Sequence, residues 1–332
     1  MNTFGNLFKV SIFGESHGTS VGIIIDGSPA GVPLHEDDLL PDLKRRQSGK
    51  TGTTPRREAD LPQIISGTFN GLTTGAPITI VFRNSNTRSR DYAEFTEIPR
   101  PGHADFTALK KYGGFSDYRG GGHFSGRLTL GLVSAGVLAK KLVAPIEISA
   151  RLIEVYGEQD IQAAVQRAVE QEDSIGGIIE CTATNVPVGL GEPFFGSVES
   201  QLAHMAFSIP AVKGIEFGTG FRAATMTGSE HNDNLLSPDG KTETNHAGGI
   251  NGGISNGNDI VFRVVVKPTS STSQPQRTLN LKTGKLTTLK IKGRHDTCIA
   301  LRVPVILEAA TAIVLADLCM LEQRIPRVWR DR

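Results

Sequence analysis

Apolar and polar positions alternate over residues 6–13 and again over 20–26, and this period of two predicts a strand on each side of a short turn. From Glu36 to Gln47 the pattern becomes helical, with acid at the start and base at the end, which suits the helix dipole. Pro41 inside that stretch predicts a kink or an early end. Ile78 to Phe82 reads as a short strand, and Ala104 to Tyr112 as a helix closed by Gly113. The strongest helical pattern runs from Ser125 to Leu142. Gly131, Ala135, Gly136 and Ala139 interrupt its leucines and valines, and small residues at that spacing let another helix pack very close. Ile161 to Glu170 is a further amphipathic helix, and Ile175 to Thr184, Gly214 to Phe217 and Asp259 to Val266 read as strands. Val305 to Leu321 is apolar nearly all round, so it is a helix buried on most sides.

These elements do not keep the regular alternation of a doubly wound sheet. No repeat of fixed period and no Pro/Ser-rich or charged linker divides the chain. The dinucleotide fingerprint G-x-G-x-x-G is absent, and Gly49-Lys50-Thr51 lacks the upstream glycine of a P-loop.

Composition narrows the reading. The 332 residues are 38% hydrophobic, enough for one large core or two ordinary domains. The formal charge of +1 gives no global field to gather nucleic acid or an acidic membrane, so anion binding must come from local clustering. Cys181, Cys298 and Cys319 lie far apart without a C-x-x-C, which fits a reducing compartment and neither a disulfide framework nor a zinc site. The eight histidines show no metal-ligand spacing. The N-terminal stretch does not read as a signal peptide, and without a run of about 18 apolar residues no membrane span is expected. The cytoplasm is the expected location. The 38 glycines cluster in loops that either wrap backbone around a ligand or simply turn tightly.

Chemistry concentrates in five places. Gly14-Glu15-Ser16-His17-Gly18 packs an acid, a hydroxyl and an imidazole into one bend, and it matches the G-x-S-x-G elbow of serine hydrolases. Residues after Gly18 look like strand where that elbow requires helix. Lys44 to Glu58 carries Lys44, Arg45, Arg46, Lys50, Arg56 and Arg57 before its first acid. It is a solvated basic loop, a nucleic-acid contact or a small-anion site. The lack of interleaved aromatics and the paired hydrogen bonds arginine offers to phosphate and carboxylate favour the anion. Arg100-Pro101-Gly102-His103-Ala104-Asp105 puts a histidine near a helix start, where it is either a packing residue or an acid. Tyr118 to Arg127 runs a glycine-rich loop into a helix that Ser125 is placed to cap, an arrangement whose amides can hold a phosphate. Asn245 to Gly249, Lys267 to Ser271 and Gly293 to Asp296 complete the set, the second as an oxyanion cradle.

In this order, and along nearly the whole chain, these motifs resemble the chorismate synthase family. The resemblance implies a single α+β domain over 1–332, in which antiparallel sheets sandwich a helical layer, assembled as a homotetramer. It implies a 1,4-anti elimination that converts 5-enolpyruvylshikimate 3-phosphate to chorismate on the way to aromatic amino acids. Reduced FMN is required without net redox change, and NADP is associated with the activity. By resemblance His17 protonates the reduced flavin, His103 donates a proton beside the leaving phosphate, and Asp296 works in removing the ring proton. Ser16 and Ser125 position substrate and flavin, so Ser16 is no nucleophile. Arg45, Arg46, Arg100, Arg127 and Arg294 match the arginines for substrate anions, with Arg46 and Arg294 also near the flavin. His123, Phe124, Ser125, Pro210, Ala211, Gly252, Lys267, Pro268, Thr269, Ser270 and Ser271 align with flavin-contacting segments.

Three departures stand out: His123 replaces an arginine, the arginine usual after the Arg45-Arg46 turn is lost with Lys50 nearby, and Thr297 stands where proline is common. The long insertions of members that reduce their own flavin are absent, so an external flavin reductase or reductant is expected, with neither nucleic acid nor membrane as partner. The alternatives are a flavin-binding member that has lost activity, a serine hydrolase using Ser16, and a nucleic-acid binder using Lys44 to Arg57.

Overall fold

The computed structural model describes residues 1–55, 58–85, 89–291 and 295–330. Two antiparallel sheets enclose a helical layer. The first has the order β1-β2-β3-β5-β4, with β1 at Thr3–Phe4, β2 at Lys9–Gly14, β3 at Ser20–Asp26, β4 at Pro62–Ser66 and β5 at Ile78–Arg83. The second has the order β8-β9-β7-β6, with β6 at Glu147–Val155, β7 at Gly177–Thr184, β8 at Val212–Phe217 and β9 at Ile260–Val266. A separate hairpin pairs β10 (Gln276–Asn280) with β11 (Lys285–Leu289). The helices are α1 (Glu36–Arg46), α2 (Asp105–Tyr112), α3 (Thr129–Val143), α4 (Ile161–Glu170), α5 (Val198–Ser208), the single turn α6 (Gly228–His231) and α7 (Val303–Leu321).

Helix α3 lies on the first sheet and packs along α7, which in turn lies on β6 and β7. One contiguous apolar core joins both sheets, running from Phe8 to Cys319. The small residues of α3 are what permit this. A Cβ at Gly136 would sit 2.4 Å from the Cα of Ala309 on α7, and one at Gly131 would sit 3.3 Å from the carbonyl oxygen of Gly22 on β3. Backbone opposes backbone at Gly136, so the neighbour cannot rotate away. Gly136→Val therefore destabilises the fold at the upper end of the ~1–3 kcal/mol typical of overpacking, read as a shift in the denaturant midpoint without a change in slope.

By length and composition the stretch Ile299–Leu321 could cross a bilayer, although charged residues interrupt its apolar run. Its most apolar window is 78% buried inside the fold, so it is the central core helix. Its two buried acids are both engaged. Asp317, 2% exposed, accepts the backbone N–H groups of Asn6, Leu7 and Phe8 at 2.7–3.0 Å and fastens the N-terminal turn to the core. Glu308 accepts both guanidinium arms of Arg45 (2.7 and 2.6 Å), Nζ of Lys140 (2.9 Å) and the Ala150 amide (3.0 Å). Burial alone would raise the Glu308 pKa, but the hydrogen bonds and charges of Arg45 and Lys140 hold it below the ordinary carboxylate value.

Most predicted elements form within a few residues of their expected ends. Pro41 neither kinks α1 into two pieces nor ends it; buried Leu39 and Leu43 lie on either side and hold the helix to the core. The Ser125–Leu142 helix begins as α-helix only at Thr129, after a 3₁₀ turn at Gly126–Leu128 in which Ser125 Oγ accepts from the Arg127 amide. Strands β1, β4, β6, β10 and β11 and helices α5 and α6 were not anticipated from the pattern.

Candidate active site

The Gly14–Gly18 bend joins β2 to β3, two antiparallel neighbours. A nucleophile elbow needs a strand entering a helix, so the serine-hydrolase reading fails on topology. The Ser16 amide donates to the Gly122 carbonyl at 3.1 Å, which stitches this bend to the glycine loop of Arg119–Phe124. Gly120 holds φ +62°, and a Cβ there would sit 2.4 Å from Cδ2 of His17 and 2.9 Å from Oγ of Ser16. Only glycine lets the loop lie on that pair. Ser16 is 1% exposed, and its hydroxyl has no hydrogen-bond partner among the described residues. The His17 ring stands edge-on to Tyr92 at 5.2 Å.

On the other side of Gly120 opens a cleft of about 370 Å³. Arg46, Arg100, Arg127 and Arg302 line it with Asp60 and Asp296, as do the apolar Ile209, Pro210, Val303 and Ile306. Arg46, 3% exposed, donates to Thr129 Oγ1 (2.9 Å) and to the Gly126 carbonyl (2.8 Å). Burial first, then the positive charges of Arg302 and Arg127, pull its pKa down to about 9 against the opposing carboxylates, so it stays a cation at neutral pH. Arg127 meets Asp60 Oδ1 at 2.8 Å and Asn84 Oδ1 at 2.5 Å. Asp296 accepts the Thr54 amide at 2.9 Å and lies 3.5 Å from Arg302, whose Nε donates to the Arg46 carbonyl at 2.9 Å.

A second cavity of about 50 Å³, lined by His103, Asp105, Asp117 and Phe124, adjoins the glycine loop at Gly121. His103 Nδ1 lies 2.7 Å from Asp105 Oδ1. Arg100, stacked 4.5 Å over Phe95, grips both oxygens of that carboxylate at 2.8 Å. Burial would push the Asp105 pKa up, but the hydrogen bonds from Arg100 and His103 win and hold it well below the carboxylate range. Asp105 is thus an anionic acceptor. Nδ1 of His103 lies within reach of that carboxylate and, at 3.0 Å, of the Arg100 Nη2 donor; a hydrogen on Nδ1 facing Asp105 leaves Nε2 as the position to exchange a proton. Lys267 Nζ (2.7 Å) and Ser270 Oγ (2.8 Å) both clasp the Gly102 carbonyl, and Ser271 Oγ accepts from Arg100 (3.0 Å), so this strand end braces the His103 turn.

Of the residues singled out from sequence, Arg46, Arg100, Ser125, Arg127, Pro210, Thr269 and Asp296 line the cleft. Ser16 and His17 lie against its Gly120 edge, and His103 and Phe124 line the adjoining cavity. Arg45 does not reach the cleft. Successive helix positions point about 100° apart, so with Arg46 inward Arg45 turns out to Glu308 and Asp42. His123 offers no charge to the cleft either: Nδ1 bonds the Gly14 carbonyl (2.8 Å) and Nε2 the Asn2 side chain (3.1 Å), pinning the loop from behind. Ala211 (φ +75°) accepts the Lys267 amide, Pro268 packs near Gly176, and Gly252 tops a hairpin with open space around it; none of the three lines the cleft. Arg294, Arg56 and Arg57 lie outside the described residues. Asp60, Tyr92 and Arg302 were missed. Arg302 had one signal, a lone cation at the head of an apolar run.

A family model described as chorismate synthase matches residues 8–320. A relative from Chitinophaga pinensis named chorismate synthase is 63% identical over 332 residues, covering 100% of both chains. Another of that name, from Dehalococcoides mccartyi, is 48% identical and covers 99% of this chain and 100% of its own. A solved structure titled "Crystal Structure of Chorismate Synthase" superposes with a TM-score of 0.73 at 26% identity, covering 96% of this chain and 93% of that one.

Proposed function

This chain belongs to the chorismate synthase family, and is thereby a lyase of the shikimate pathway; from that premise we propose that its arginine-lined cleft binds 5-enolpyruvylshikimate 3-phosphate beside reduced FMN and eliminates phosphate to give chorismate. The observation that carries this reading is the cleft itself. Four arginines and a set of apolar side chains line it, and two buried hydroxyls, Thr269 Oγ1 in the lining and Ser16 Oγ beside its Gly120 edge, have no partner among the described residues. Buried polar atoms in folded proteins are normally satisfied, so these two are suited to ligand atoms. The residues fit a flavin: Ile209, Pro210, Val303 and Ile306 for the ring system and the Thr269 hydroxyl for its polar edge. When bound, reduced FMN supplies electron density that eases departure of the phosphate.

The chain's own groups do the rest. Arg46 and Arg127 hold the substrate's anions through paired hydrogen bonds, already stripped of water. The Nε2 proton of His103 goes to the leaving phosphate oxygen as the carbon–oxygen bond breaks. Asp296 receives the proton lost from the second ring carbon, and a new ring double bond forms between. By resemblance His17, buried against Tyr92, is the proton donor at the Gly120 edge. Ser125 sets the loop that positions both ligands. Arg294 joins the anion set by resemblance.

The contiguous core supports one catalytic unit over 1–332. Exposed Phe194, Phe195 and Phe221 support a homotetramer, and the buried free thiols suit the cytoplasm, with reduced flavin supplied by an external reductant. The test is an anaerobic assay with chemically reduced FMN, following chorismate and phosphate together. Equal release of both without net flavin oxidation is expected; flavin binding without turnover would instead favour a member that has lost its activity.

A further inference from the structure

Asp60 is 7% exposed, yet its backbone sits at φ +49°, in the left-handed region. Such a conformation persists where the surroundings over-determine it, and it gathers at functional sites. Its carboxylate is the one group among the described residues that faces both Arg127 (2.8 Å) and Arg46 (3.8 Å). The other acids of the cleft are engaged elsewhere: Glu58 accepts from Ser85 Oγ at 2.8 Å, and Asp296 accepts from Thr54 and faces Arg302. Asp60 thus lies on the two guanidinium groups that are best placed to take an anion.

A wall of arginines alone has a difficulty. Free inorganic phosphate, which is also the product, offers the same oxygens to those guanidinium forks as the substrate's phosphate does. Discrimination then requires something that penalises the small anion. We propose that Asp60 is a specificity-determining residue: a resident counter-ion that competes with free phosphate for Arg46 and Arg127. The full substrate overcomes it, because its carboxylates and ring add contacts that inorganic phosphate lacks. This inference rests on reading the cleft as an anion site.

Asp60→Asn tests it. Asparagine tolerates the left-handed region as aspartate does and keeps an acceptor for Arg127, while removing the charge. Inorganic phosphate is titrated calorimetrically into the full-length, flavin-free wild type and variant. The expected result is at least about tenfold tighter phosphate binding by Asp60→Asn, with phosphate inhibiting its turnover at correspondingly lower concentration. Unchanged or weaker binding would overturn the proposal and leave Asp60 as a prop for Arg127. If the variant melts below the assay temperature, Asp60→Ser and the phosphate-dependent rise in melting temperature give the same reading: a larger rise than in wild type is expected, and an equal one refutes. Failure of the wild type to turn over would count against the proposed reaction, while the titration still decides the role of Asp60.

Discussion

Replacing His103 by alanine slows turnover by roughly two to four orders of magnitude, the usual contribution of a positioned general acid or base. The expectation rests on a chain of three groups. Arg100 is buried, stacked on Phe95 and fixed to both oxygens of Asp105; Asp105 fixes Nδ1 of His103; Nε2 is thereby aimed at the glycine loop, 3.8 Å from where a Cβ on Gly121 would stand. The depressed pKa keeps this arrangement charged. Ionised Asp105 contributes stability above its ordinary 3.8, and that contribution is lost only as pH falls through the lower folded value. Asp105 therefore remains an anionic acceptor for His103 Nδ1 across the neutral range. Its side chain is 23% exposed, so the variant should fold with a melting temperature close to wild type. Stopped-flow turnover under saturating substrate is the measurement. An unchanged kcat removes His103 from the mechanism. Asp105→Asn should lose much of the same rate, since a neutral amide no longer dictates which ring nitrogen carries the hydrogen.

A second large effect is structural. Asp317→Ala should cost on the order of 3–4 kcal/mol, a sizeable part of a typical fold's margin. Its carboxylate accepts three successive backbone N–H groups and the Asn6 side chain. Asn6 and Leu7 are exposed and water can replace the lost acceptor there, but Phe8 is 0% exposed and its amide would be stranded. Asp317→Asn keeps the shape and one acceptor oxygen, so roughly half the loss is expected. Equilibrium denaturation of both variants checks this, and equal stability of Asp317→Ala and wild type would show the three bonds to be energetically idle.

What was legible in the sequence follows from how each part is specified. Helices α1, α4 and α7 and strand β3 show in the pattern because a face, or the whole surface, of each is buried along a continuous run, whereas α2, with only Ala108 buried, shows through its closing Gly113. Strand β4 is obscured because it opens on Pro62 and leaves Ile65 exposed, so the alternation points the wrong way. Strand β6 mixes acids and arginine into its outer face, where Arg151 pairs with Glu180 of β7. The site motifs were visible wherever glycine, histidine and arginine cluster locally. Asp60 was not, since its partner Arg127 lies 67 residues away and nothing beside it in sequence marks it. Arg45 and Arg46 look equivalent as letters, and only the helical rotation decides that Arg46 faces the cleft and Arg45 the buried Glu308 of α7.

The bond between Asp317 and the turn at residues 6–8 also sets a clock on how the protein is made. The Phe8 amide and its acceptor are 309 positions apart. At about 5–20 residues per second, the chain waits roughly 15 to 60 s after Phe8 is joined before Asp317 exists. During that interval β2, β3 and β5 can pair with one another and α3 can cover them, but the side of α3 meant for α7 stays uncovered. The layer between the two sheets is among the last parts to be closed, so the nascent protein spends much of its synthesis with the α7-facing side of α3 open to chaperones and to its neighbours on the same message.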